Sequence, residues 1–365
     1  MLLGACDEDS KLAENKSNKE VAHVYPAPSG QYKVGFKEYD VFDNSEDNVS
    51  PINDELRKVH IKVYYPSDTK RLNYDYYFDK WGNQVEFLAR HRPKGAPIHP
   101  LQHELSTMRS WSINNARIVE NENSGWPVLF YSHGLGLFEV DNTELLEDLA
   151  SNGFFVVSIN HTYLSGVTTF ESGQTASIYL PKGKQGIGTT AGRAYFNEVV
   201  SPQITRDVHT VYHWLQWNQW RLNNQINLSN VGMFGFSLGA SAAMNACKDL
   251  SLCKAAANMD GVLLGRVAND PLNKPLLLLS SQDSLAKLDL VFNNNQAESY
   301  LVTIEKSVHN DFTDQNRWIV GYPTLVDPDK MHLAIKKSLK GFFERQLNHA
   351  ELTLPEMEGV IILNK

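Results

Sequence analysis

An α/β architecture, with a mostly parallel central sheet covered by helices on both faces, is what this sequence predicts. Three observations carry the prediction. From Trp126 onward, short apolar runs alternate with segments of helical periodicity, the pattern of strands buried on both faces. The β-rich run Asn230 to Phe236 passes through two closely spaced glycines straight into the helix-forming run Ala240 to Leu250. The chain has 365 residues, with no internal repeat and no linker dividing residues 27 to 350. That length fits one large domain carrying insertions.

Taken in order, residues 1–26 carry few large apolar side chains and read as a flexible segment. Tyr32 to Phe42 and Val59 to Tyr65 alternate apolar with polar residues. They predict two antiparallel N-terminal strands at one sheet edge, the second ending at Pro66-Ser67. Tyr74 to Glu122 is irregular, aromatic at first and then rich in proline. It reads as an insertion at the site entrance, its aromatics forming a satellite core. Pro127 to Ser132 and Phe154 to Ile159 read as buried strands flanking a helix at Thr143 to Ala150. Gly166 to Ala194, rich in Gly, Thr and Ser, reads as a second loop-rich insertion. Gln203 to Leu222 has helical spacing at Ile204, Val208, Val211 and Leu215. Ala255 to Met259, Pro275 to Ser280 and Tyr300 to Ile304 are three further short strands. Met331 to Leu347 is a closing amphipathic helix, and residues 351–365 read as a C-terminal tail.

The net charge of −8, with no basic run, argues against nucleic acid as a partner. No run approaches the roughly 18–20 apolar residues needed to cross a bilayer. Of the three cysteines, Cys247 and Cys253 flank a short polar turn, where either a small-loop disulfide or two buried thiols would fit. Cys6 follows Leu3-Gly4-Ala5, which is similar to a bacterial lipobox, and Asp7 to Glu20 has the polarity of a tether. Only Met1 to Leu3 stand where a signal needs roughly 7–15 apolar residues. The expectation is a truncated lipoprotein signal, with Cys6 lipidated and associated with a membrane in the bacterial cell envelope. Without that signal the location would be cytoplasmic. No protein partner is legible.

The chemistry concentrates between Val231 and Ala240. Gly235, Ser237 and Gly239 fit G-x-S-x-G, the nucleophile elbow of the α/β-hydrolase fold. The glycines permit a strand-to-helix turn too sharp for a Cβ, leaving Ser237 at its apex. A serine hydroxyl needs a base, and the base needs an orienting acid, in the chain order Ser, acid, His for this fold. His309 lies just past the last strand and is the candidate base; His332 and His349, in or after the final helix, read as surface positions. Asp260 and Asp283 each follow a strand, and spacing alone does not choose between them. The oxyanion amides are expected from Leu238 and from Leu135, the latter in His133-Gly134-Leu135-Gly136. His133 reads as a pin for that loop rather than a second base.

With these residues in view, the chain resembles the plasma-type platelet-activating factor acetylhydrolases and their bacterial relatives. The resemblance rests on Val63 to Ser67, Phe130 to Gly136, Leu149 to Phe154, the strand ending at His161, Gly235 to Gly239, Asn258 to Asp260 and Ser307 to His309, kept in order. It implies Ser237 as nucleophile, His309 as base and Asp260 rather than Asp283 as the acid. It also implies hydrolysis of short or oxidised acyl esters, phospholipids included, with no metal and no cofactor. Two features depart from the family. Phe236 stands where the elbow often has histidine, and Gly166 to Ala194 is distinct. A general carboxylesterase or polyester-type hydrolase, an acyltransferase, and a non-catalytic lipoprotein binding module are the rival expectations. Leu137-Phe138 and Tyr77-Phe78 are the candidates for an exposed apolar patch at the site mouth.

Overall fold

The computed structural model describes residues 23–91, 105–122, 125–284, 287–319 and 323–365; Cys6 and its flanking residues lie outside them. Ten strands form one sheet. β1 (Lys33–Glu46), β2 (Leu56–Ser67) and β3 (Ser112–Asn114) precede β4 (Trp126–Ser132) and β5 (Phe155–Asn160). A small hairpin, β6 (Val167–Thr169) and β7 (Thr175–Ser177), stands apart. Then come β8 (Ile226–Phe236), β9 (Cys253–Met259), β10 (Leu276–Ser281), β11 (Ser299–Ile304) and β12 (Val360–Asn364). The spatial order is β12-β11-β10-β9-β8-β4-β5-β2-β1-β3. The run from β11 to β5 is parallel throughout. The β1–β2 hairpin joins it antiparallel through β2, as its alternating sequence predicts, and β3 caps that edge.

Alternation along the strands divides the interior into two cores. Val128, Phe130, Leu276 and Leu278 face one side; Leu129, Tyr131, Leu277 and Leu279 face the other. The first core is closed by α3 (Ser201–Asn218) through Ile204, Val208, Val211 and Leu215, and by α4 (Leu238–Asp249) through Ala242, Ala243 and Met244. The second is closed by α2 (Thr143–Ser151) through Leu145, Leu146 and Leu149, and by α5 (Pro328–Asn348) through Met331, Ile335, Leu339 and Phe342. Covering both faces satisfies near-continuous apolar strands. This is the α/β-hydrolase architecture the elbow motif predicts.

Several local readings need correction. The segment expected as a C-terminal tail contains β12, which pairs antiparallel with β11 and closes that edge. Residues 23–26, expected as part of a flexible segment, are packed instead: His23 stacks on Trp111, and Tyr25 is buried and donates to Glu147. The first insertion contains α1 (Asn83–His91), and its Tyr77 and Phe78 are buried with Met108, Phe138 and Trp318 in a third core. Tyr77, Phe78 and Phe138 are therefore interior, so of the two readings the sequence left open at those dipeptides, exposed patch or core, these residues take the core. The second insertion is more regular than its composition suggests: the β6–β7 hairpin, a short helix at Thr190–Tyr195 and a π-helical turn at Phe196–Val200 leading into α3. Cys247 and Cys253 are joined in a disulfide across the α4–β9 turn, and Lys274 Nζ donates to the carbonyls of Cys247, Leu250 and Cys253 there.

Candidate active site

Ser237 lies between β8 and α4 at φ 53° and ψ −116°, a conformation that side-chain-bearing residues rarely hold. The flanking glycines are required by contact. A Cβ on Gly235 would stand 2.4 Å from the Gly239 backbone, and one on Gly239 would stand 2.0 Å from the Ser132 carbonyl oxygen. The Ser237 N–H donates to Met259 O at 3.1 Å, tying the elbow to the end of β9.

His309 opens a short 3₁₀ turn after β11. Its Nε2 is 2.9 Å from Ser237 Oγ and its Nδ1 is 2.7 Å from Asp260 Oδ2. The serine hydroxyl can donate to Nε2 while Nδ1–H donates to the carboxylate. The imidazole is part-exposed, whereas Asp260 is buried. Asp260 ends β9 at φ 48°, with its N–H on Leu279 O. Its carboxylate also accepts from the Ser281 N–H at 2.9 Å and the Ser281 hydroxyl at 3.0 Å. Burial works to raise its pKa, but hydrogen bonds from His309, the Ser281 amide and Ser284 hold it below the usual carboxylate value. Asp260 stays ionised beside His309. Asp283, the alternative acid, is exposed one turn past β10 and makes no bond to His309.

Leu238 opens α4, so its N–H falls in the first helical turn, which has no partner in the helix's own ladder. The Leu135 N–H belongs to the turn after β4, and the Gly134–Leu135 peptide that carries it is held by its carbonyl. Gly134 O accepts from His133 Nδ1–H at 2.7 Å and from the Leu137 N–H at 3.1 Å. A trans peptide points its N–H opposite to its C=O, so fixing one aims the other. His133 Nε2 accepts from the His161 N–H at 3.0 Å. With an acceptor opposite Nδ1 and a donor opposite Nε2, His133 can only be the neutral Nδ1–H tautomer. Burial, with His161 nearby, pushes its pKa down to about 3. His161 in turn bonds Asp207 at 2.8 Å, and Asp207 meets Arg57 through both carboxylate oxygens, at 2.8 and 2.6 Å. Burial opposes ionisation of Asp207, yet Arg57 and His161 hold its pKa far below the ordinary value.

The segment carrying His309 is anchored from behind. Asp314 Oδ2 accepts from the Glu144 N–H at 2.9 Å and lies 2.7 Å from the Tyr77 hydroxyl. Glu144 pairs with Arg317 at 2.9 Å and Lys336 at 2.8 Å, joining α2, this segment and α5. His332, expected at the surface, is buried in this cluster with Nε2 on Asn316. Its helical face turns inward because Met331 and Ile335 do; His349 is exposed as expected. Glu144, Asp314 and His332 converge closely enough to hold a cation, but Arg317 and Lys336 already balance Glu144.

Some participants escape sequence reading. Ser281 reaches Asp260 only because β9 and β10 pair with Met259 beside Leu279. Phe236 packs on the His309 ring at 4.7 Å between centroids. Asn258 shapes the turn after Asp260 by accepting from the Gly261 N–H at 2.6 Å. The x position of the elbow and the Asn258-Met259-Asp260 triplet were the available signals. Leu135, Leu180, Ile187, Val262 and Leu263 are half-buried apolar residues on the core that α3 and α4 close. Ile178 sits against Gly136, so part of the second insertion does border the oxyanion loop.

The chain is similar to known proteins in both sequence and fold. The family model described as "Platelet-activating factor acetylhydrolase, isoform II" matches residues 17–185. The platelet-activating factor acetylhydrolase of Bos taurus is 23% identical over 334 residues, covering 81% of this chain and 70% of its own. That of Gallus gallus is 22% identical over 335 residues, covering 81% and 75%. A ferulic acid esterase from Streptomyces cinnamoneus superposes with a TM-score of 0.74 at 19% identity, over 92% of this chain and 98% of its own, a likeness of fold. The expected kinship is borne out as a similarity to the platelet-activating factor acetylhydrolases over most of the chain.

Proposed function

From this kinship, we propose that the protein is a carboxylic ester hydrolase working through an acyl-enzyme on Ser237. The single observation that carries the reading is the hydrogen-bonded line Ser237–His309–Asp260 on a strained elbow, with α4 beginning directly behind it. Ser237 Oγ attacks the ester carbonyl while His309 Nε2 takes its proton. Asp260 keeps the Nδ1–H tautomer facing it and stabilises the imidazolium that forms. The tetrahedral oxygen is received by the Leu135 and Leu238 N–H groups. His309 then returns the proton to the departing alcohol. Water repeats the sequence on the acyl-enzyme and releases the acid. The residues present call on no metal or cofactor for these steps.

The relatives' names point to short acyl esters of phospholipids, and the half-buried apolar residues from Leu135 to Leu263 suit an acyl chain. Lipidation at Cys6, tested by labelling with radioactive palmitate and loss of label in Cys6→Ser, belongs to the same reading. The experiment for activity compares wild type and Ser237→Ala on esters from acetyl to long acyl, with a short-chain phospholipid included. Turnover by wild type alone, with loss of several orders of magnitude in kcat for the variant, is expected. Activity within about tenfold of wild type in Ser237→Ala would remove the nucleophile from the proposal.

A further inference from the structure

A cavity of about 1420 Å³ opens beside the site without including the triad. It begins at Val262 and Leu263, just past Asp260, where the Gly261 backbone crowds Ala240 and the Ser237 carbonyl oxygen. Ser241 fastens this loop to α4 by donating to Val262 O and accepting from the Leu264 N–H, and Asn197 accepts from the Gly265 N–H. Its floor is the face of α4 bearing Met244, Asn245 and Asp249. At 1.5 Å of rise per residue, Met244 lies about 10 Å and Asp249 about 18 Å along α4 from Ser237. The cavity thus runs along α4, away from Ser237.

Its charge differs from that of the rest of the protein. The lining has four cations, Arg193, Arg206, Arg266 and Lys287, against two carboxylates, in a chain of net charge −8. Both carboxylates are engaged, Asp249 with Arg266 and Asp270 with Lys248. Arg193 and Lys287 are exposed and face no carboxylate among the described residues. Between them the wall mixes apolar residues, Val262, Leu263, Leu290 and Val291, with neutral polar ones such as Asn197 and Asn245.

We propose that this groove selects extended esters whose far end, remote from the scissile carbonyl, carries a net negative charge as a carboxylate or phosphate. The proposal rests on the hydrolase reading and sharpens it. A trimethylammonium group would find no free carboxylate here, whereas an arginine fork matches a carboxylate or phosphate. Choline-bearing ends are therefore disfavoured in the groove.

The test separates binding from turnover. Ser237→Ala protein is titrated calorimetrically with sodium laurate, dodecyl phosphate and dodecyltrimethylammonium, below their micelle concentrations. It is then titrated again carrying Arg193→Ala and Lys287→Ala. The two anions should bind at least tenfold more tightly than the cation, lose that advantage in the added double variant, and weaken with salt. Laurate and dodecyl phosphate together separate the carboxylate source from the phosphate one. Equal binding of anions and cation, or an advantage that survives the double variant, overturns the proposal. In turnover, the double variant in the wild-type background should raise KM for a charged-end ester severalfold and leave kcat and a neutral butyrate ester unchanged. Failure of Ser237-dependent butyrate hydrolysis would sink the hydrolase reading while the calorimetry still judged the groove.

Discussion

Replacing His133 by glutamine or asparagine separates two functions that the imidazole combines. Its Nδ1–H holds Gly134 O, and its Nε2 receives the His161 N–H. Asparagine places an amide N–H near the Nδ1 position and nothing near Nε2. Glutamine places an oxygen near Nε2 and no donor on Gly134 O. In His133→Gln the Gly134–Leu135 peptide keeps only the Leu137 N–H on its carbonyl. Losing one net hydrogen bond that aims the oxyanion amide, worth about 0.5–1.5 kcal/mol, lowers kcat by about two- to tenfold. The ceiling is the loss of a whole oxyanion donor, about 10²–10³-fold. In His133→Asn, kcat should stay within about twofold of wild type, but the buried His161 N–H loses its partner at a cost of about 1–3 kcal/mol in stability. Steady-state kinetics on a short-chain ester, paired with denaturant unfolding, measures both. Glutamine should lower kcat with KM unchanged and stability kept; asparagine should do the reverse. If kcat in the two variants simply follows stability, or glutamine leaves kcat intact, the peptide is not aimed by His133.

Four further outcomes are expected. Asp260→Asn should lower kcat by on the order of 10⁴-fold through the wrong imidazole tautomer, while Asp283→Asn stays within about twofold; the opposite ranking in ester turnover would move the acid to Asp283. Phe236→Ala should lower kcat and leave circular dichroism unchanged, since the ring packs on His309; unaltered kcat would make that contact dispensable. Burial raises the Asp141 pKa to about 8, so the folded state holds a proton that the unfolded chain releases near 4. Its contribution is full below about pH 4 and is lost as pH rises towards 8. Asp141→Asn should therefore flatten the fall of Tm between pH 5 and 8; a parallel fall in both proteins would refute the assignment. Cys253→Ser opens a loop of sequence separation 6 and should cost about 2 kcal/mol in denaturant unfolding with kcat kept.

Strand periodicity made the parallel sheet legible, because Val128 to Tyr131 and Leu276 to Leu279 are apolar at every position and must be covered on both faces. The elbow was legible because close backbone contact leaves a glycine signature. The choice between Asp260 and Asp283 was not legible in spacing: β10, which leads to Asp283, is the strand next to β11, yet the turn after β11 carries His309 across to Asp260 at the end of β9, a reach that only the folded loop reveals. His332 was misread because helical periodicity marks an inward face without saying that a histidine there would be met by Glu144 and Asn316. β12 was missed because Val360 to Leu363 is short, follows a stretch with no periodicity, and pairs with a strand already counted complete. The Arg57–Asp207–His161 chain joins residues about 50 to 150 apart, a separation at which a single sequence carries no pairing signal.

The close approach of Gly239 to the Ser132 and His133 carbonyl oxygens has a consequence for how such a pocket can be re-cut. The start of α4 and the end of β4 meet backbone to backbone, so the gap between the two amides that would receive the oxyanion is set by main-chain contact. The half-buried side chains nearby, Ile178, Leu180, Val262 and Leu263, take no part in that spacing. Wall and hole can therefore change independently. A library confined to those wall positions should shift acyl preference widely while the rate on the smallest ester, which touches little of the wall, stays nearly constant. The tight glycine contact thus works as a fixed gauge around which a variable mould is cast.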